Sequence, residues 1–171
     1  MSFRGSRMRK VIYLIGSLRN DKIPALANWL ERETKHEVFC SWFSPGPEAD
    51  DYWRKYAIAR GMSYQEALEE YSATHIFEFD KHHLDRANMA VLVAPAGKSG
   101  HLELGYMIGR GKPCFYLMEE ENIRWDIMLQ FCFLNGGNVC KDGQELINCI
   151  NNYTNHEAIE TRYYYGSSQT S

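Results

Sequence analysis

The stretch DKHHLDRANMAVLVAPAGKSGHLELGY, from Asp80 to Tyr106, is the part of the sequence that most clearly indicates the fold of the chain. An acidic, histidine-rich segment leads into an apolar run (Met89–Ala94), a loop of small residues (Pro95–Gly100) and a helical pattern with Glu103 in its first turn. This order predicts a buried strand, a loop and a helix. In open α/β sheets, ligands bind beyond the carboxyl ends of strands, where loop amides and helix N-termini are exposed. The stretch therefore predicts a ligand site that a carboxylate faces.

Composition limits the class of protein. The chain has 171 residues, of which 44% are hydrophobic and 13% aromatic, so we expect one domain with a full core rather than two. Its net charge of −3 provides no basic field for nucleic acid or an anionic membrane surface. A small soluble molecule is the expected partner.

The cysteines and the apolar runs indicate an intracellular chain. The run Val11–Ile15 is too short for a secretory signal, and no run reaches membrane-spanning length, so a cytoplasmic location is expected. The five cysteines are odd in number, widely spaced and mostly within apolar runs, which predicts reduced core residues rather than disulfides or metal ligands. They are Cys40, Cys114, Cys132, Cys140 and Cys149.

Strands and helices alternate along the chain. Unbroken β-branched and aliphatic runs suit a parallel sheet that is covered on both faces. Strands are predicted at Val11–Ile15, Val38–Ser41, Met89–Ala94, Pro113–Met118 and Asn138–Cys140. Helices are predicted at 24–33, 51–61, 63–71, 75–86, 126–133 and 142–153, with one more after the third strand. The pattern predicts a doubly wound five-stranded parallel sheet of flavodoxin-like or Rossmann-like type, in the order 2-1-3-4-5, with helices on both faces.

The domain organisation follows from the same pattern. Residues 1–10 are predicted to be a flexible N-terminus, residues 11–153 a single domain and residues 154–171 a partly disordered tail. Residues 42–74 form an insert that begins with a loop rich in proline, glycine and acidic residues, which we interpret as a lid. Trp42 or Phe43 in this loop either stacks on a flat ring or packs within the protein, and packing is the commoner case.

The strand order has a switch point between the first and third strands, which brings two small-residue loops together. In the first loop, Gly16, Ser17 and Arg19 offer backbone amides and a guanidinium to an anion, although on these residues alone a plain turn with a surface arginine is the commoner explanation. In the second loop the candidate binding residues are Gly97, Ser99 and Gly100.

Histidines and aspartates precede the third strand, and they raise the question of a metal site. On the predicted helix, Asp80, His83 and Asp85 are candidates to face the pocket, whereas His82 points elsewhere. Their spacing matches no standard zinc pattern and no third strong ligand is evident. We therefore expect neither a metal nor a cofactor.

The crevice contains the groups that cleavage of an N-glycosidic bond needs. A carboxylate at a helix start is more often a partner of the helix dipole than a catalyst. Here Glu103 is joined by a second carboxylate, Asp80, by loops suited to an anion and by aromatic side chains. A carboxylate can stabilise or trap the oxocarbenium-like sugar, and a second acid or a water can protonate the departing base.

These residues together resemble a known family. The segments Tyr13-Leu-Ile-Gly-Ser-Leu-Arg19 and Gly100-His-Leu-Glu-Leu-Gly-Tyr106, with Asp80 upstream, are similar to the nucleoside 2-deoxyribosyltransferases and the related deoxynucleoside 5′-monophosphate N-glycosidases. The resemblance implies that Glu103 is the nucleophile that attacks C1′ of the sugar. It implies that Asp80 contacts the base and aids proton transfer. Gly16, Ser17 and Arg19 match the phosphate-contacting loop of the monophosphate glycosidases.

The chain departs from this family in several places. Gly97 stands where such transferases often carry another acidic residue, and a neutral loop tolerates a phosphate better, which favours a nucleotide substrate. The Ser/Thr ending has no match to the family's aromatic C-terminus, and the insert 42–74 is longer than in its smallest members. The family shares its active sites between subunits, which implies a homodimer or higher homo-oligomer. Asn138 is the candidate residue that a neighbouring subunit contributes.

Two alternatives remain open. The pattern Pro95-x-Gly97-x-x-Gly100-x-x-Glu103 also resembles the loop of the nucleoside-monophosphate phosphoribohydrolases, which release a base from a ribonucleotide, although Ala96 replaces a glycine of that loop. A non-catalytic nucleotide sensor that uses the same crevice is the other alternative. The sequence does not name the base, the sugar or the acceptor.

Overall fold

A computed structural model of the chain describes residues 8–40, 49–118 and 125–166. Its strands are β1 (Val11–Ile15), β2 (Glu37–Cys40), β3 (Met89–Val93), β4 (Cys114–Leu117) and β5 (Asn138–Cys140). All four pairings are parallel, and the strand order is β2-β1-β3-β4-β5. The predicted doubly wound fold is confirmed.

Helices cover both faces of this sheet. The helices are α1 (Ile23–Thr34), α2 (Ala49–Ala59), α3 (Tyr64–Glu69), α4 (Tyr71–Arg86), α5 (Lys98–Gly109) and α6 (Gly143–Gly166), and a 3₁₀ segment spans Ile127–Gly136. One core cluster joins β-strand residues such as Leu14 to Leu30 of α1 and Ile150 of α6. The other joins Leu92 of β3 to α4, α5 and the 3₁₀ segment. Because both faces are covered, every residue of β3 is buried.

A capping box begins the second helix of the insert, α3. The Ser63 hydroxyl accepts a hydrogen bond from the Glu66 amide, and the Glu66 carboxylate accepts one of 2.8 Å from the Ser63 amide. These two bonds satisfy amide groups that the first turn of a helix leaves without partners. They fix the start of α3 and so the path of the insert.

The start of α5 differs from the prediction. The helix begins at Lys98, with Gly97 as its N-cap, so Glu103 lies in the second turn and not the first. The helix starts early because its first turn packs against the end of β1. A Cβ atom on Gly100 would lie 2.8 Å from Cγ2 of Ile15, so only glycine fits there without displacing its neighbour.

The last helix also differs from the prediction. It was predicted to end at Tyr153, but α6 continues to Gly166. Asparagines near the predicted end are weak helix formers. Packing overrides them, because Tyr153 lies against the core and the buried Thr154 donates a hydrogen bond of 3.0 Å to the Ile150 carbonyl. The remaining tail residues, 167–171, lie outside the described part of the chain.

Other sequence predictions have mixed outcomes. All five cysteines are free, as predicted, and four of them are buried. Trp42 and Phe43, the candidate stacking residues of the lid, lie outside the described residues. Across residues 8–40, 49–118 and 125–166, no helix is long and apolar enough to cross a membrane. The boundaries of the domain and the N-terminal flexibility stay predictions.

Candidate functional site

The loops that follow β1 and β3 meet at the carboxyl edge of the sheet. Ile15, the last residue of β1, is in register with Leu92 of β3. The close contact between Gly100 and Ile15 holds the first turn of α5 against the end of β1. The structure therefore brings the loop at Gly16 beside the loop at Gly97, as the strand order predicts.

The loop after β1 is a tight turn. The Ser17 hydroxyl accepts a hydrogen bond of 3.2 Å from the Arg19 amide, and the Ser17 carbonyl accepts one of 2.9 Å from the Asn20 amide. A Cβ atom on Gly16 would lie 2.4 Å from Cδ1 of Ile23, so the glycine lets the turn pack onto α1. The turn leaves the Arg19 side chain 80% exposed at the crevice.

Arg19 has a partner that the sequence did not suggest. Its guanidinium lies 3.7 Å from a carboxylate oxygen of Asp51, and the Asp51 side chain is 48% exposed. An exposed ion pair of this length contributes little to stability, with measured pairs typically at about 0–1 kcal/mol. An anionic ligand can therefore replace Asp51 at Arg19 at small cost.

A cavity of about 690 Å³ opens next to this ion pair. It lies among α2, α3 and α4, and Ser99 in the first turn of α5 also lines it. Asp51 is part of its wall. Most of the wall is apolar, formed by residues such as Trp53, Ala57, Tyr64, Ala73, Ile76 and Phe77. The volume lies within the range of small-molecule sites in proteins, about 300–1,000 Å³.

The two candidate catalytic carboxylates lie on helices that wall the cavity. Glu103 is partly buried and follows Ser99 by four positions on α5. Asp80 is partly buried, its Oδ1 atom is shielded from solvent, and it follows Ile76 by four positions on α4. Residues four apart share a helix face, so each carboxylate lies one turn beyond a residue of the cavity wall. Neither of the two carboxylates lines the cavity itself.

His83 packs in the core and does not line the cavity. Its ring stacks on Phe39 with 3.7 Å between centroids, and its Nδ1 accepts a hydrogen bond of 2.8 Å from Arg86 Nε. Burial, and then the charge of Arg86, lower the pKa of His83. Both effects favour the neutral ring. His83 therefore has a packing role.

Asp85 belongs to a contact between α4 and α5. Its carboxylate accepts hydrogen bonds from Lys81 Nζ, at 2.6 Å, and from the Tyr106 hydroxyl. These two bonds lower the pKa of Asp85 to about 2. Lys112 adds hydrogen bonds of 2.9 and 2.8 Å to the carbonyls of Leu84 and Asp85. Asp85 is absent from the cavity wall.

Asn138 lies away from the crevice of its own chain. It is the first residue of β5, at the opposite end of the strand from the carboxyl edge. Its Nδ2 donates a hydrogen bond of 3.2 Å to Cys149 Sγ on α6, and its Oδ1 accepts one from the Val139 amide. The structure thus does not bring Asn138 together with Glu103 in one subunit.

The sequence pattern does not single out two residues of the site, Asp51 and Trp53, which both line the cavity. The spacing of Trp53, Ala57 and Ile58 along α2 is that of an amphipathic helix, which signals a covered face. Within the described residues, no group of three His, Cys, Asp or Glu side chains is arranged to hold a metal ion.

The fold and the crevice define a doubly wound α/β protein with a candidate ligand site at its switch point. Among solved structures, the chain is similar to a 2-deoxyribosyltransferase from the psychrotolerant bacterium Bacillus psychrosaccharolyticus. The two chains are 18% identical with a TM-score of 0.52, and the match covers 84% of this chain and 91% of the other. This likeness establishes a shared fold. No family model matches the sequence, and no curated protein does.

Proposed function

We propose that the protein breaks the N-glycosidic bond of a deoxynucleoside 5′-monophosphate, or of the corresponding nucleoside, through Glu103. The observation that supports this proposal best is the placement of Glu103 and Asp80. They lie one helical turn from the wall of a ligand-sized cavity, on the fold of a protein named as a 2-deoxyribosyltransferase. The residues that resemble the deoxyribosyltransferase family are these same residues.

The proposed reaction has two steps. In the first, a Glu103 oxygen bonds to C1′ of the sugar while the bond from C1′ to the base nitrogen breaks and its electron pair leaves with the base. Asp80 in its acid form, or a water that it positions, donates the proton that the base needs. In the second step, water or the nitrogen of another base attacks C1′ and the bond from C1′ to Glu103 breaks, while the proton that the attacking group loses returns to Asp80, directly or through the water that it positions. Water gives a hydrolase and a second base gives a transferase.

The loop residues support a 5′-phosphate on the substrate. Arg19 presents an exposed guanidinium, and the loop from Gly97 to Gly100 carries no acidic side chain. Charge-assisted hydrogen bonds from Arg19 and from loop amides are worth roughly 1.5–3 kcal/mol each. We therefore propose Gly16, Ser17, Arg19, Gly97, Ser99 and Gly100 as the phosphate-side binding residues.

The experiment is an assay of base release. The purified chain is incubated with dAMP, dCMP, their nucleosides and AMP, with and without a free acceptor base, and the products are separated by chromatography. Release or exchange from deoxy substrates supports the proposal. Release from AMP alone supports the ribonucleotide hydrolase instead, and binding without turnover of any substrate supports a sensor.

A further inference from the structure

Two cysteines are in contact at the edge of the sheet, where α6 packs on β5. Cys140 is the last residue of β5, and it is fully buried. Cys149 lies on α6 and is partly exposed, whereas the other four cysteines of the chain are buried. The Cys140 thiol donates a hydrogen bond to Cys149 Sγ, and Cys149 packs against the core cluster that contains Cys140. The two sulfur atoms are therefore neighbours in the folded chain.

A second contact fixes the position of the Cys149 sulfur. The Nδ2 atom of Asn138 donates a hydrogen bond of 3.2 Å to Cys149 Sγ, while its Oδ1 atom accepts one of 2.8 Å from the Val139 amide. Residues two apart on a strand point to the same face of a sheet, so Asn138 and Cys140 both present their side chains to α6. Cys149 Sγ lies against both of them.

The backbone on either side of the pair is held in place. Cys140 pairs with Leu117 in the sheet, and its carbonyl accepts a hydrogen bond of 2.8 Å from the Met118 amide. On α6, the residue that follows Cys149 is Ile150, which is fully buried in the core. A disulfide tolerates little error in the separation of its two backbone positions. Because the sulfur atoms already touch across two fixed elements, rotation of the side chains is the movement that a bond between them requires.

The two thiols differ in their access to an oxidant. Burial, and then the neighbouring Cys149, raise the pKa of the Cys140 thiol. The thiolate is the form that attacks an oxidant, so Cys140 is a poor first nucleophile. Solvent reaches Cys149, and exposure favours oxidation. A small oxidant therefore meets Cys149 first.

We propose that Cys140 and Cys149 are a modification site, at which a peroxide converts the two thiols into a disulfide that joins β5 to α6. In the first step, Cys149 Sγ bonds to one oxygen of hydrogen peroxide, the O–O bond breaks, and the other oxygen leaves as water, so that Cys149 becomes a sulfenic acid. In the second step, Cys140 Sγ attacks Cys149 Sγ, and the hydroxyl of the sulfenic acid leaves with the thiol proton as water.

The electrons of the two steps balance. The two thiols together lose two electrons and two protons, and one peroxide is reduced to two waters. Contact between the sulfur atoms makes the second step intramolecular, which favours it over further oxidation of Cys149. Neither step involves Glu103 or the cavity, so the site does not depend on the proposed function.

Peptide mapping of the oxidised chain tests the site. The reduced full chain is treated with hydrogen peroxide, the remaining thiols are alkylated after denaturation, and trypsin is added. Trypsin cleaves after Lys141 and so separates the two cysteines. We expect the peptide that ends at Lys141 to be linked to the peptide that contains Cys149, and a thiol reductant to separate them. A link between two chains, a link between Cys114 and Cys132, or a Cys149 that stays reduced or is oxidised without a link would overturn the proposal.

Serine variants separate the two steps. Cys140→Ser removes the thiol that attacks, so a sulfenic acid should accumulate on Cys149 and react with dimedone. Cys149→Ser keeps an acceptor for Asn138 and should leave Cys140 reduced for as long as the wild type takes to form its link. Cys132→Ser, in the other core cluster, is the matched control and should link as the wild type does. Thermal melting checks that each variant is folded. Oxidation of Cys140 at the wild-type rate in folded Cys149→Ser, or no dimedone adduct in folded Cys140→Ser, would contradict the proposal.

The thermal midpoint reports whether the bond forms without strain. Closing the loop from Cys140 to Cys149 restricts the unfolded chain, so oxidation should raise the midpoint of the wild type by roughly 5–10 °C. The same treatment should not raise the midpoint of Cys149→Ser. A midpoint of the linked wild type that stays the same or falls would mean that the bond distorts the edge of the sheet, and would overturn the claim that the folded chain places this pair to react.

Discussion

At the scale of single residues, Glu103 is the proposed nucleophile. It is partly buried on α5. We expect Glu103→Gln to leave the fold intact and to lower the rate of base release by at least ~10³, since a covalent route loses its nucleophile. Glu69→Gln, on the exposed side of α3, is the matched control and should retain full activity. Near-normal turnover in folded Glu103→Gln would remove Glu103 from the mechanism.

Arg19, with its ion-pair partner Asp51, is the residue proposed to contact the 5′ end of the substrate. We expect Arg19→Ala to raise KM for the monophosphate by roughly ten- to a hundredfold, the value of one charge-assisted contact, and to change KM for the nucleoside little. Asp51→Asn should lower KM for the monophosphate a few-fold, because it removes the carboxylate that pairs with Arg19.

Steady-state kinetics with both substrates measure this preference. If the wild-type protein uses nucleoside and monophosphate equally well, Arg19 is a surface residue. If Asp51→Asn weakens binding of the monophosphate, the ion pair holds the site in its binding form and does not compete with the phosphate.

At the scale of elements, Asp85 joins α4 to α5 and makes that contact dependent on pH. Its pKa is lowered from 3.8 to about 2 by hydrogen bonds from Lys81 and Tyr106. The unfolded chain binds this proton at higher pH than the folded one does. The contribution of Asp85 to stability is therefore present above about pH 4 and is lost as the pH falls towards 2.

Thermal midpoints of the wild type and Asp85→Asn measure this contribution. The wild type should melt at the higher temperature above pH 4, and the difference should shrink steadily between about pH 4 and pH 2. Asp126→Asn is the control, because it changes the N-cap of the 3₁₀ segment and leaves the contact between α4 and α5 unchanged. A difference that stays constant over this range would mean that the Asp85 hydrogen bonds do not favour the ionised form.

Strand positions were predictable because a strand that is buried on both faces has an unbroken run of apolar residues. Met89–Val93 and Val11–Ile15 are unbroken apolar runs, and no polar face blurs their limits. The start of α5 was not predictable, because it depends on the fit of Gly100 against Ile15 across two strands of the sheet. The local sequence indicates a loop of small residues from Pro95 to Gly100. In the structure Lys98, Ser99 and Gly100 are already helical, because Gly100 packs against Ile15.

At the scale of the molecule, the strand order predicted which loops meet at the edge of the sheet, but the sequence did not predict how the insert helices pack. The strand order alone brings the Gly16 and Gly97 loops together. The cavity arises from packing among the three helices of residues 49–86. Only this packing brings Asp51 and Trp53 into one cavity wall, with Asp51 beside Arg19. Sequence patterns showed that these helices exist, but did not show how they pack against each other.

Exposed apolar side chains lie on the 3₁₀ segment, just before it and on the neighbouring α5. Trp125 is 93% exposed and Ile127 is 75% exposed, and Leu102 of α5 is exposed on the neighbouring element. Water-exposed apolar groups of this size mark interaction surfaces. We propose that a second copy covers them, in keeping with the homo-oligomer that the family resemblance implies.

We expect a dimer or higher oligomer by light scattering, and we expect Ile127→Glu to weaken it. A monomeric wild type at micromolar concentration would contradict this.

The central claim is the covalent intermediate on Glu103, and mass spectrometry of a trapped enzyme tests it most directly. A 2′-fluoro deoxynucleoside monophosphate destabilises the oxocarbenium-like transition states and slows release of the sugar. After incubation and acid quench, the account predicts one added sugar phosphate on the peptide that contains Glu103, and none in Glu103→Gln. Base release by the wild type with the label on another residue, or with no label under single-turnover conditions, would contradict the account.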